Sequence, residues 1–111
     1  MAGPEVVAVT PEELDARLAD KDSRLLVLYL WGPDCPNCVV FQRQLPGLLE
    51  QLEDAEFTLL KLDAYAYPEL ARRYAVFGIP HFLLFKSGAR IGKMSEFRGA
   101  QFWCAVIREH L

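Results

Sequence analysis

Leu25-Leu26-Val27-Leu28-Tyr29-Leu30-Trp31-Gly32-Pro33-Asp34-Cys35-Pro36-Asn37-Cys38 is the stretch on which the reading of this chain turns. Its first seven residues would be apolar on both faces of a strand, as the central strand of a covered sheet must be. Gly32-Pro33-Asp34 breaks the strand. A helix is then predicted from about Cys35-Pro36, with the proline in the first turn, where no intrahelical N–H bond is lost. Strand, short loop and helix together deliver two cysteines, three residues apart, to a helix entry.

Upstream, Val6 to Val9 reads as a strand, and Thr10-Pro11-Glu12-Glu13 opens a helix. Thr10 and Glu13 have the spacing of a capping box, and Pro11 suits the first turn. Leu14 and Leu18 give that helix an inward stripe, and it ends near Asp20 to Ser23. Downstream, Val39, Val40, Phe41 and Leu45 continue the cysteine-bearing helix inward. Pro46-Gly47 is expected to kink or interrupt it, because Pro46 has no amide proton. Leu48, Leu49 and Leu52 resume it.

Phe57 to Leu62 reads as a buried strand and Pro68 to Tyr74 as a short helix. Ile79-Pro80-His81-Phe82-Leu83-Leu84-Phe85 reads as a strand, and Lys86-Ser87-Gly88 as a hairpin turn. A final strand lies within Ala89 to Phe97. The last helix covers about Gln101 to His110, with Phe102, Ala105, Val106 and Leu111 expected inward. The order is β-α-β-α-β-α-β-β-α. Its first two crossovers pass through helices, which predicts parallel strands, and the hairpin adds antiparallel ones. The fold class is therefore α/β, a mixed central sheet with helices on both faces.

The 111 residues suit one domain, 1–111, with no repeat. Of these, 52% are hydrophobic and 24% charged, as in ordinary globular proteins. A net charge of −3 argues against non-specific binding to nucleic acid or to anionic membranes. No apolar run reaches the roughly 18 residues of a membrane span. Met1 to Thr10 lacks the basic and apolar regions of a signal peptide, so a cytoplasmic location is expected.

The three cysteines, Cys35, Cys38 and Cys104, do not make a structural disulfide framework. Residues i and i+3 share a helix face, with Cβ atoms roughly 5–6 Å apart. A modest adjustment brings two such sulfurs to bonding distance. At the first turn Cys35 would meet unpaired N–H groups and the positive end of the helix dipole, which lower a thiol pKa. Cys35 is thus the expected attacking thiolate, and the more buried Cys38 the thiol that releases the product. The competing reading is half of a zinc site. The remaining Cys and His are Cys104, His81 and His110, with no second close pair, so no metal and no cofactor are expected.

Trp31-Gly32-Pro33-Asp34-Cys35-Pro36-Asn37-Cys38 resembles the active-site segment of the thioredoxin family. Tyr74-Ala75-Val76-Phe77-Gly78-Ile79-Pro80, with Phe82 to Gly88 after it, is similar to the segment holding that family's cis-proline. The resemblance spans nearly the whole chain. It implies a thioredoxin fold that exchanges or reduces protein disulfides, with a reductase or other thiol donor as second partner. By position, Pro80 would be the cis-proline facing the sulfurs. Ile79 would offer its backbone to an extended substrate in strand addition, and Trp31 would be the tryptophan beneath the site.

Departures from the family pattern are specific. Pro36-Asn37 replaces the usual Gly-Pro pair, which is expected to retune thiol pKa and reduction potential. Asp34 stands where tryptophan is common. It suits a helix cap, and its charge would oppose a neighbouring thiolate. Tyr29 occupies the place of the buried acid and Leu59 that of its companion lysine. The usual proton acceptor for Cys38 is therefore missing, leaving water, Tyr29 or a backbone group. His81 would favour a thiolate if it faced the sulfurs, but a packed or solvent-facing histidine is expected. Cys104 reads as a small buried hydrophobe, with a dimer-forming cysteine as the alternative. Lys61, Asp63, Arg72 and Arg73 read as solvated charges, while Tyr65, Phe97 and Trp103 are apolar groups of unassigned place.

The first functional expectation is thus an enzyme, a monomeric thiol–disulfide oxidoreductase working through Cys35 and Cys38. A binding or scaffold module that keeps the fold without the chemistry is the second. A glutathione-dependent, glutaredoxin-like oxidoreductase, kept open by Pro36, is the third.

Overall fold

The computed structural model describes residues 3–111. In chain order the elements are β1 (Glu5–Ala8), α1 (Pro11–Ala19), β2 (Leu25–Trp31), α2 (Pro36–Gln51), β3 (Phe57–Asp63), α3 (Pro68–Arg73), β4 (His81–Lys86), β5 (Ala89–Met94) and α4 (Ala100–Glu109). The sheet order is β1-β3-β2-β4-β5. β1 and β2 run parallel to β3, whereas β4 is antiparallel to β2 and β5 to β4. This is the mixed sheet of the α/β expectation. Among the described residues no helix is long and apolar enough to cross a membrane.

Strand β2 lies at the centre, with every residue from Leu25 to Leu30 buried. Its side chains alternate between two core layers, as the pleat requires. Val27 and Tyr29 join Phe41 and Leu48 of α2 and Trp103 and Ile107 of α4. Leu26, Leu28 and Leu30 join Leu14 of α1 and Leu70 of α3 on the opposite face. Helices cover both faces, which explains why the strand tolerates no polar residue along its length.

Local signals hold where one side chain meets one backbone group. The Thr10 N–H donates to Glu13 Oε1 at 2.9 Å, and the Glu13 N–H donates to Thr10 Oγ1 at 3.2 Å. This reciprocal cap satisfies two donors that the helix leaves free. Thr10→Ala is expected to lower unfolding stability by about 1 kcal/mol, read from the urea midpoint at unchanged slope. In the β4–β5 hairpin Ser87 and Gly88 have φ of 53° and 81°, the positive values a two-residue type I′ turn needs at both positions.

Four expectations are corrected. Helix α2 runs unbroken from Pro36 to Gln51 through Pro46. The Gln42 carbonyl loses its partner there, but Leu45 and Leu48 on either side are buried against the sheet and hold the helix across the gap. Val39 and Val40 face outward at 46% and 44% exposure, because the inward stripe runs through Cys38, Phe41, Leu45 and Leu48. In α4 the buried residues are Trp103, Cys104 and Ile107, not Phe102, Ala105 and Leu111, which are exposed, or Val106, which is half-buried. The large indole sets that phase. β4 also begins at His81, so Ile79 and Pro80 precede the strand.

Candidate active site

Strand β2 ends at Trp31, and Gly32-Pro33-Asp34 carries the chain into α2. Gly32 is needed for close packing: a Cβ there would lie 2.9 Å from both Ile79 Cδ1 and Tyr65 Cδ2. Asp34 takes a positive φ of 58°, which aspartate tolerates better than most residues.

Cys35 itself is the N-cap of α2, with its Sγ accepting a hydrogen bond from the Cys38 N–H at 3.2 Å. The sulfur thus performs the capping expected of Asp34, whose conformation turns it out of that position. Such a sulfur sits where free N–H groups and the helix dipole stabilise negative charge. Cys35 and Cys38 are joined as a disulfide, with Cα atoms 5.2 Å apart. Cys35 retains 8% exposure and Cys38 3%, the order required if one sulfur is to be reached from outside.

The loop before β4 closes over this pair. Cys35 Sγ lies 3.8 Å from the Ile79 carbonyl oxygen. The Ile79–Pro80 bond is cis, and Pro80 is buried. Cys35 stands on a ridge between two grooves. One, of about 430 Å³, runs past Pro36 to Tyr65, Val76, Phe77 and Ile79. The other, of about 360 Å³, runs past Trp31 and Cys38 to Val39, Gln42 and Arg43. Phe77 is 96% exposed, an isolated large apolar side chain at a groove edge.

Trp31 is half-buried at the end of β2, and Lys61 Nζ sits 5.8 Å from the centroid of its ring. Lys61 is therefore engaged with an aromatic face rather than merely solvated. Asp63 is likewise structural: its Oδ1 accepts from the N–H groups of Tyr65 and Ala66 and shapes the turn after β3.

Tyr29 is wholly buried, with its ring stacked on Phe82 at 5.3 Å between centroids. Its hydroxyl accepts from Gln42 Nε2 at 3.3 Å. Burial pushes the Tyr29 pKa up to about 12, against a smaller opposing effect of Gln42. The hydroxyl keeps its proton at neutral pH, so Tyr29 is not the proton acceptor that its position suggested. Leu59, in the same core layer, is fully buried.

His81 is buried and lines neither groove. It pairs with Leu30 in the ladder, and alternation along β4 puts it on the face opposite Phe82. Burial, then Lys93 and Arg90, hold its pKa below the usual histidine value. A neutral ring packed in the sheet gives no electrostatic help to a thiolate, and His81 is removed from the site. Cys104 is buried in α4, and burial pushes its thiol up. Tyr65 lies in the groove beside Cys35, while Phe97 and Trp103 belong to the core layer around Phe41.

Neither Gln42 nor Phe77 stands out in the sequence. Gln42 lies four residues after Cys38, one helical turn on, which is the only local sign that they share a face. Phe77 falls in a loop, where no periodicity marks an apolar residue.

Comparison with known proteins bears on the same segments. The family model described as Thioredoxin matches residues 5–109. Thioredoxin of Staphylococcus epidermidis is 28% identical over 109 residues, covering 96% of this chain and 98% of the relative. Glutaredoxin-3 of Mus musculus is 30% identical over 97 residues, covering 84% of this chain. The chain corresponds to only 28% of that relative's length. Among solved structures, reduced Schistosoma mansoni thioredoxin pre-protein superposes with a TM-score of 0.80 at 22% identity, covering 96% of this chain and 99% of the other. That likeness speaks for the fold. With the family match over residues 5–109 and the disulfide between Cys35 and Cys38 at the entry of α2, the chain belongs to the thioredoxin family.

Proposed function

We propose that this chain is a thiol–disulfide oxidoreductase acting on protein disulfides through the Cys35–Cys38 pair. The observation that carries this reading is the bonded pair at the start of α2, with Cys35 Sγ held by the Cys38 N–H beside the Ile79 carbonyl. In the reduced form the Cys35 thiolate attacks a substrate disulfide and one substrate sulfur leaves as a thiolate. Cys38 then attacks Cys35 Sγ, the Cys35–Cys38 bond forms and the second substrate sulfur departs. A reductase or other thiol donor restores the dithiol, which suits a reducing compartment such as the cytoplasm. The chain works as one domain and as a monomer.

Trp31 walls the groove on the Cys38 side, and Pro36 starts α2 without wasting a donor. β4 is flanked by β2 and β5, so the backbone a guest chain meets is that of Ile79, ahead of the strand. Pro80 holds this loop against the sulfurs. An extended polypeptide laid along Ile79 brings its side chains to Phe77 and Tyr65.

Mild diamide treatment followed by alkylation is expected to leave Cys35 and Cys38 joined, and dithiothreitol to reopen them. A pair that never closes, by mass spectrometry, overturns the reading. Burying a phenylalanine side chain contributes about 1.5–3 kcal/mol. Phe77→Ser is accordingly expected to raise KM for a protein disulfide roughly tenfold. The same variant should leave kcat, and the rate with a small aromatic disulfide, near those of the parent. Equal effects on both substrates would show that Phe77 does not touch the polypeptide.

A further inference from the structure

Cys38 is the more buried sulfur, and burial disfavours the thiolate that the resolving step needs. The groove on its side supplies no buried carboxylate. Its charged or titratable neighbours are Asp34 of the exposed loop, Arg43 of α2, Lys61 of β3 above the Trp31 ring, and Tyr29 of β2, which keeps its proton. One polar side chain remains. Gln42 lines the same groove as Cys38, one turn further along α2, where i and i+4 side chains have Cβ atoms roughly 5–6 Å apart. Its Nε2 already spends one N–H on the Tyr29 hydroxyl. A carboxamide nitrogen has two.

We propose that Gln42 is a further catalytic residue, whose carboxamide, fixed by the Tyr29 hydroxyl, donates its second N–H to the Cys38 thiolate during resolution. The inference rests on the exchange mechanism proposed above. The Cys38 proton leaves to water through the open groove. The thiolate then attacks Cys35 Sγ, the Cys35–Cys38 bond forms, the bond from Cys35 to the substrate breaks, and the departing substrate thiolate takes a proton from water. Tyr29 acts here as a positioning residue, with its hydroxyl anchoring the amide rather than accepting the proton. In this site a hydrogen-bond donor that stabilises the product of ionisation stands where a base would otherwise take the proton.

The two halves of the reaction are separable in a single turnover. Reduced full-length protein mixed with excess dithiobis-nitrobenzoate releases one coloured thiolate when Cys35 attacks and a second when Cys38 closes the ring. Gln42→Leu is expected to keep the first phase within about twofold and to slow the second about tenfold, with its pH midpoint moved alkaline by about one unit. Tyr29→Phe, which keeps the buried ring, should slow the second phase in the same direction by a smaller factor, because the amide loses its anchor. An unchanged second phase in Gln42→Leu, or both phases slowed alike, overturns the proposal. Failure of the parent protein to show any second phase overturns instead the exchange mechanism on which it stands.

Discussion

Cys35→Ser is expected to reduce disulfide exchange by roughly a thousandfold or more, to the level of the reductant alone. The size of the effect follows from what the substitution keeps. A serine oxygen accepts an N–H at a helix N-cap at least as well as sulfur does. The Cys38 N–H therefore retains a partner, and α2 keeps its start. The variant should fold, and its lost activity is chemical: a hydroxyl is not ionised near neutral pH and does not attack a disulfide. Cys38→Ser leaves the attacking sulfur in place but removes the group that resolves the intermediate. It should accumulate a mixed disulfide with its substrate, visible as a band on non-reducing electrophoresis that dithiothreitol removes. Insulin reduction measured by turbidity checks the first variant. Wild-type rates from Cys35→Ser would mean that Cys35 is not the attacking sulfur and would overturn the exchange mechanism.

The parts of this protein that sequence reading reached share a physical character. β2 was legible because a run of seven apolar residues stopped by Gly32-Pro33 has the length and the punctuation of a strand covered on both sides. The Thr10–Glu13 cap and the Ser87-Gly88 turn were legible because each is settled within four residues. The cysteine pair was legible because its spacing and its place after β2 define the chemistry. What escaped depends on groups distant in sequence. The inward phase of α2 follows from Phe41 meeting Tyr29, Phe82 and Trp103, and nothing between Cys38 and Leu45 says that Val39 and Val40 are the exposed pair. α4 turned differently from expectation because the pocket between Phe57, Phe82 and Phe41 takes an indole. Cys35 displaced Asp34 as the cap because the loop puts Asp34 in a left-handed conformation, although sulfur is the weaker acceptor. Tyr29 stood where a proton acceptor for Cys38 was sought, whereas His81 was expected to be packed or solvent-facing and is packed. Burial, which no local signal reports, keeps the Tyr29 hydroxyl protonated and the His81 ring neutral.

Phe41→Ala should be the most destabilising single change behind the site, at about 3–5 kcal/mol. Phe41 is fully buried on α2, three residues beyond Cys38. Its ring centroid lies 4.7 Å from Tyr29, 4.9 Å from Phe82, 5.2 Å from Phe97 and 5.4 Å from Trp103. Those four rings come from β2, β4, the segment before α4, and α4 itself, so the cavity left by truncation has walls on separate elements. No one element can move to fill it without losing its other contacts, and collapse that would relieve the cost is therefore small. Set against a total of about 5–15 kcal/mol for a domain of this kind, the loss brings the chain close to unfolding at ordinary temperature. Urea titration should show a much lower midpoint with the slope retained. Val40→Ala, one residue earlier and facing solvent, provides the internal contrast and should cost no more than about 0.5 kcal/mol. Tyr29 packs at a tilt against the vacated space, so Phe41→Ala should also loosen the hydroxyl that holds Gln42 and slow ring closure by Cys38 in whatever fraction stays folded. A loss below about 1 kcal/mol for Phe41→Ala would contradict the shared aromatic layer, and with it the rigid backing on which the geometry of both sulfurs depends.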